Sequence, residues 1–215
     1  MVKNQNEHLE NLAQIRSMME RSSRFISLSG LSGVAAGTCA ILGAGLVYLY
    51  LDMPPFSSKR VYYEEAVQIH RWGLSYLTFF VLTATIVFLL ALVSGIYFTT
   101  RKARKKGQKV WDAASKRMLV NLAIPLFTGG LFCIALFNYG MYGLIAPSTL
   151  IFYGLALVNG GKYTLDDIRY LGVTEIVLGI IALFNPGNGL EFWAFGFGVL
   201  HIVYGIIMYN KYEKV

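Results

Sequence analysis

The stretch WGLSYLTFFVLTATIVFLLALVSGIYFTT occupies residues 72–100 and carries no charged side chain. A helix needs about 20 largely apolar residues to cross the hydrocarbon core, so this stretch reads as a span with length to spare for tilt. Working outward, five further apolar stretches lie at about 25–51, 118–137, 142–159, 168–184 and 190–210. The fifth span is short and contains Glu175, and the sixth contains His201. Composition points the same way: of 215 residues, 55% are hydrophobic and 14% charged, whereas soluble domains average about 25% charge. That leaves too little polar surface to coat a water-soluble globule. The 14 Phe, 14 Tyr and 3 Trp set among aliphatic runs exclude a disordered chain. The predicted fold is all-α: a polytopic membrane bundle over residues 25–210, with six transmembrane helices in three sequential hairpins.

The net charge of +7 is sorted along the chain. Six spans alternate sides, which places 16 of the 19 basic residues on one face. Only Lys59, Arg60 and Arg71 fall on the other. Basic residues accumulate on the cytoplasmic side of membrane proteins, so both termini are predicted to be cytoplasmic. Residues 1–24 have Leu9, Leu12, Ile15 and Met19 at helical spacing among charges. They fit either an amphipathic helix on the membrane or bundle, or a solvated helical leader. Their polar, mixed-charge start is unlike a cleavable signal peptide, so the first span is expected to be retained. Residues 211–215 form a cytoplasmic tail. The outer loop at 52–71 holds Pro54, Pro55, Tyr62, Tyr63, Glu64 and Glu65 and is expected to be a structural cap rather than a ligand lid.

The densest basic run contains Arg101, Lys102, Arg104, Lys105, Lys106 and Lys109. It is expected to fix topology at the membrane surface and to attract anionic lipid headgroups. No aromatic RNA platform or zinc pattern accompanies it, so nucleic acid is not an expected partner. The lipid bilayer is.

Two segments echo one another. IALFN occurs at 134–138 and again at 181–185, and Tyr153-Gly154 with Asn159 matches the spacing of Tyr204-Gly205 with Asn210. The copies run in parallel, which does not support the inverted-repeat design of many secondary transporters. The stretch LGIIALFNPGNGLEFWAFGFGVLHIVYGI at 178–206 resembles the hairpin repeat of the HdeD-like family of inner-membrane proteins, with its asparagine-proline turn and a glycine near the inner end of the returning helix. The likeness covers mainly residues 172–210, and 125–160 more loosely, where Tyr139 replaces the turn proline. It implies six helices in three hairpins, a bacterial inner (cytoplasmic) membrane location and, for some members, acid-stress tolerance. It implies no catalytic residue.

Glycines supply the packing surfaces. Gly33 and Gly37 form a GxxxG pair in the first span, with Gly172 and Gly179 in the fifth and Gly198 and Gly205 in the sixth. Such residues let helices approach closely in lipid, either inside one chain or between two copies in a homo-oligomer. Pro125 and Pro147 are expected to kink the third and fourth spans.

Glu175 lies about 10 Å into the fifth span and His201 about 13 Å into the sixth. Intramembrane ionisable groups are costly and face a partner or a wet cavity. Matched depth predicts a Glu175–His201 pair, with Tyr204 and Thr174 as further members. It serves either as a proton or ligand site or as a neutral pair that fixes packing. The histidines have no metal spacing, and Cys39 and Cys133 form no CxxC motif, so no metal, cofactor or disulfide is expected. No hydrolase, zinc-protease or nucleotide-binding signature occurs, so catalysis is not expected. Two readings follow: a non-enzymatic membrane protein, with an envelope or acid-stress role implied by the resemblance, or a small proton-coupled transporter, channel or pH sensor using Glu175 and His201.

Overall fold

The structure, a computed structural model, describes residues 24–52 and 69–214. Residues 1–23, 53–68 and 215 lie outside it, and with them most of the amphipathic leader and of the outer loop. Six helices make up nearly all of the described chain. They are α1 (Gly30–Leu51), α2 (Tyr76–Lys105), α3 (Ala113–Asn138), α4 (Ile145–Gly160), α5 (Asp166–Leu183) and α6 (Gly189–Tyr212). One short β-ribbon, His70–Arg71 paired with Leu74–Ser75, precedes α2. Five of the helices are long and apolar enough to cross a membrane. The exception is α5, whose 18 residues include Asp166, Asp167, Arg169 and Glu175.

Local chemistry sets the helix ends. The Ser75 hydroxyl accepts from the Thr78 N–H at the start of α2. Asp112 and Ser115 form a reciprocal capping box at the start of α3, which satisfies two otherwise unpaired backbone donors. The turns after α3 and α5 place Gly140 and Gly187, two residues after each IALFN copy, at φ of 70° and 96°. Pro125 sits inside α3. Pro147 does not occupy the helix interior expected of it: it is the third residue of α4, where a missing N–H breaks no intrahelical bond.

The bundle is held by two glycine-lined seams. Along the α1–α6 seam, a Cβ on Gly37 would lie 2.6 Å from the Gly198 carbonyl oxygen, and one on Gly205 would lie 2.7 Å from that of Gly30. Gly33 lies against the His201 carbonyl on the same line. The Gly33–Gly37 face is thus used within the chain, against its own sixth helix. Along the α4–α5 seam, Gly154 and Gly172 face each other so closely that a Cβ on either would meet the other's carbonyl oxygen at 2.6–2.7 Å. Gly179 approaches the Pro147 carbonyl farther along the same line. Helix α2 packs on α1, and α3 on α4. The final pair departs from a simple hairpin: α5 lies along α4 and meets α6 over a shorter length.

The helix ends rich in basic residues are tied together on one face. There the Phe25 N–H donates to the Tyr163 carbonyl at 2.7 Å, and the buried Thr164 hydroxyl donates back to the Phe25 carbonyl at 2.6 Å. Glu213, just beyond α6, accepts from the Ser29 hydroxyl at 3.0 Å and from the Gly30 N–H, supplying the cap that α1 lacks locally. On the opposite face Tyr50 is fully buried, stacked on Phe79 with ring centroids 4.0 Å apart. Its hydroxyl donates to the Leu74 carbonyl at 2.8 Å.

Candidate functional site

Three helices bring polar side chains to one point inside the bundle: Glu175 from α5, His201 from α6 and Tyr153 from α4. Glu175 is 0% exposed and His201 6%, while Tyr153 keeps partial exposure. His201 Nδ1 lies 3.4 Å from Glu175 Oε1 and 3.0 Å from the Gly196 carbonyl oxygen. A carbonyl oxygen can only accept, so Nδ1 carries the proton. Nε2 lies 2.8 Å from the Tyr153 hydroxyl, and in the neutral ring it accepts from that O–H. The imidazole is further fixed by stacking on Phe197, at 5.8 Å between centroids.

Glu175 is less well provided for. Among the described residues, neither of its carboxyl oxygens has a hydrogen-bond partner. Its oxygens fit because position 196 has no side chain: a Cβ there would lie 2.5 Å from Glu175 Oε2 and 2.5 Å from a methyl of fully buried Leu150. The backbone around Gly196 is also unusual. Residues Ala194–Leu200 form a π-helical segment between the α-helical ends of α6, a rare distortion that is enriched at functional sites. The Gly196 carbonyl that faces the His201 ring lies within it.

The pairing of Glu175 with His201 is therefore present in the structure. Thr174 and Tyr204 form a separate contact, with their hydroxyls 3.2 Å apart. Tyr153, not singled out by the sequence reading, completes the cluster. Its position in the repeated Tyr-Gly spacing marked an internal repeat but gave no sign of a partner 48 residues away.

A second carboxylate on α5 has the opposite surroundings. Asp167 accepts from the Tyr212 hydroxyl at 2.6 Å and from Lys211 Nζ at 3.1 Å. Burial pushes its carboxyl up, but the hydrogen bonds from Tyr212 and Lys211 outweigh this and hold it below its ordinary value.

The basic run needs one correction. Arg101, Arg104, Lys105 and Lys109 are exposed, as is Lys106, whose Nζ donates to the Tyr212 carbonyl at 3.1 Å. Lys102, expected at the membrane surface, is instead 6% exposed. It turns inward because its ammonium donates to the Leu28 carbonyl and lies 3.5 Å from Glu213. Among the described residues, no three His, Cys, Asp or Glu side chains could hold a metal together. No family model, curated protein or solved structure matches the chain.

Proposed function

We propose that this chain is a non-enzymatic, six-span integral membrane protein with both termini cytoplasmic, which responds to pH by proton uptake at the Glu175–His201 pair. The observation that carries the reading is a fully buried carboxyl group whose two oxygens have no hydrogen-bond partner among the described residues, 3.4 Å from a buried imidazole. An isolated ionised carboxylate in an apolar interior is strongly disfavoured. A group kept there without structural hydrogen bonds has little packing value, and intramembrane ionisable groups commonly mark proton relays. The distribution of 16 basic residues against 3 supports the orientation. The α5 stretch counts as the sixth span because its central charge, Glu175, faces the protein and not lipid. The HdeD-like resemblance of residues 178–206 makes the acid-stressed bacterial envelope the first physiological setting to test.

Infrared pH titration of the protein in lipid nanodiscs tests the reading. A protonated-carboxyl band should grow as pH falls through about 9 to 4, the range open to histidines and buried carboxylates, and should be missing from Glu175→Gln. Absence of any Glu175-dependent band over that range overturns proton uptake. A transport reading draws on a different observation, the π-helical interruption of α6 beside Glu175, since interrupted spans line the sites of secondary transporters. Proton flux into liposomes that Glu175→Gln abolishes would favour transport over sensing.

A further inference from the structure

We infer that Tyr153, His201 and the Gly196 carbonyl form a tautomer switch, through which proton uptake at Glu175 releases the π-helical segment of α6. The inference rests on the proton-uptake reading and adds the route of the proton and the element that reads it out.

The geometry defines the resting state. Nδ1–H of His201 donates to the Gly196 carbonyl at 3.0 Å, and Nε2 accepts from Tyr153 at 2.8 Å. The second acceptor within reach of Nδ1 is Glu175 Oε1, at 3.4 Å. A proton reaching the Tyr153 hydroxyl from hydronium in water can then move through the ring. The Tyr153 oxygen gains the incoming proton as its own O–H proton passes to Nε2. The Nδ1–H bond breaks, and that proton forms an O–H bond on Glu175. The tyrosine ends unchanged, the imidazole ends neutral with its proton on Nε2, and the carboxylate becomes a carboxylic acid. One hydronium is consumed per turn and the net charge of the site rises by one.

The consequence falls on Gly196. Nδ1 now presents a lone pair to a carbonyl oxygen that also only accepts, so contact between them changes from attraction to repulsion. Losing the ring donor removes a contact that favours the π-helical register, and the α-helical partner of this carbonyl, the N–H of Leu200 four residues on, becomes the alternative. Converting the π-helical segment to α-helix re-registers α6 against α1, because Gly198 and the His201 carbonyl lie on the α1–α6 seam.

Among the described residues, few other groups can contribute. From α4 the ring is faced by Tyr153, and from α5 by Glu175. The α1 residues packed there are Gly33 and Gly37, which do not ionise. On α5 and α6 themselves, Thr174 and Tyr204 are bonded to one another. Tyr153 keeps partial exposure where Glu175 and His201 are buried, and the proposed route enters there.

Solid-state NMR on the full chain in lipid bilayers tests this. Glycine–phenylalanine occurs once in the sequence, at Gly196-Phe197, so carbonyl-13C glycine with 15N phenylalanine reports that single peptide. Ring-15N histidine reports the tautomer. On acidification His201 should pass from the Nδ1–H to the Nε2–H form, and the Gly196 carbonyl signal should shift with the same midpoint. Tyr153→Phe keeps the ring and removes the relay hydroxyl, and should suppress the tautomer change and the Gly196 shift together. Conversion of His201 to the doubly protonated imidazolium with an unmoved Gly196 signal would overturn the switch, as would a Tyr153→Phe profile identical to the parent. The infrared carboxyl band, recorded on the same samples, separates the two failures. A titrating Glu175 band with a static Gly196 removes the switch alone, whereas a silent band removes proton uptake itself.

Discussion

Two of the three carboxylates on helix α5, Asp167 and Glu175, lie eight residues apart, and each faces a basic side chain on α6. Asp167, near the end of the bundle, is held by a tyrosine hydroxyl and a lysine ammonium. Glu175, two turns deeper, has an imidazole at 3.4 Å and no hydrogen bond to either oxygen among the described residues. The same pair of helices therefore builds one saturated ionic contact and one unsaturated one. Saturation is what a structural role requires, because each hydrogen bond to a charged group contributes about 1.5–3 kcal/mol. The deeper pair lacks that stabilisation yet sits in the more costly place, which is why the functional argument attaches to Glu175 rather than to Asp167.

The largest expected effect comes from disturbing what brings α6 into position for both pairs. Gly205→Leu would place its side chain where a Cβ already lies 2.7 Å from the Gly30 carbonyl oxygen and the Val34 backbone nitrogen. Backbone cannot step aside, so the helices must separate. A destabilisation of about 3 kcal/mol or more is expected, read as a fall in thermal midpoint in detergent and as loss of the Glu175–His201 contact. An unchanged midpoint would show that the seam does not hold α6.

Asp167→Asn should come next, costing about 1–2 kcal/mol through weakened bonds to Tyr212 and Lys211. The sign of its pH dependence follows from a folded value below the ordinary 3.8. The contribution is fully present above that ordinary value and is lost as pH falls through the lower folded one. The stability gap between parent and Asp167→Asn should therefore be constant near neutrality and close only in strong acid. A gap that widened in acid would contradict the assignment.

The comparison is sharpest at Glu175→Met. An unbranched apolar side chain replaces the carboxyl and leaves no buried oxygen unpaired. Replacing buried ionic groups by apolar ones is often neutral or stabilising, so the midpoint should hold or rise while the titrating carboxyl band vanishes. A loss as large as that of Asp167→Asn would mean that Glu175 is structural after all. Smallest of all should be Arg24→Ala, which removes an exposed ion pair with Asp166 at 3.1 Å. Pairs of this kind contribute about 0–1 kcal/mol, so unfolding in the two proteins should differ little and less still at high salt.

Much of the architecture was legible in the chain. Hydropathy located the helices to within about five residues, missing mainly the extension of α2 to Lys105, the early start of α3 at Ala113 and the late start of α1 at Gly30. Most glycines of the two seams, though not Gly154, and the Glu175–His201 depth match could also be read from spacing. Lys102 could not. The other basic residues of the run, Arg101, Arg104, Lys105, Lys106 and Lys109, are exposed, and only the arrival of the Leu28 carbonyl and Glu213 turns it inward. Tyr153 was hidden for a similar reason: tyrosine at a glycine-rich helix position is ordinary until another helix brings an imidazole to its hydroxyl.

The division has a physical cause. Whether a segment is helical and apolar enough for lipid is a sum over neighbouring residues, because the cost of placing each side chain and each backbone hydrogen bond is settled within a turn or two. The sequence by itself therefore determined the helical bundle, the sorting of its charges and the two unusual residues within it. Which polar group meets which depends on interhelical distances set by the glycine seams. A π-helical segment shifts register by one residue at Ala194–Leu200, and no local pattern announces it. The tertiary structure alone decided that His201 would hold the Gly196 carbonyl and the Tyr153 hydroxyl, and that Glu175 would lie beside them with its oxygens unpaired among the described residues.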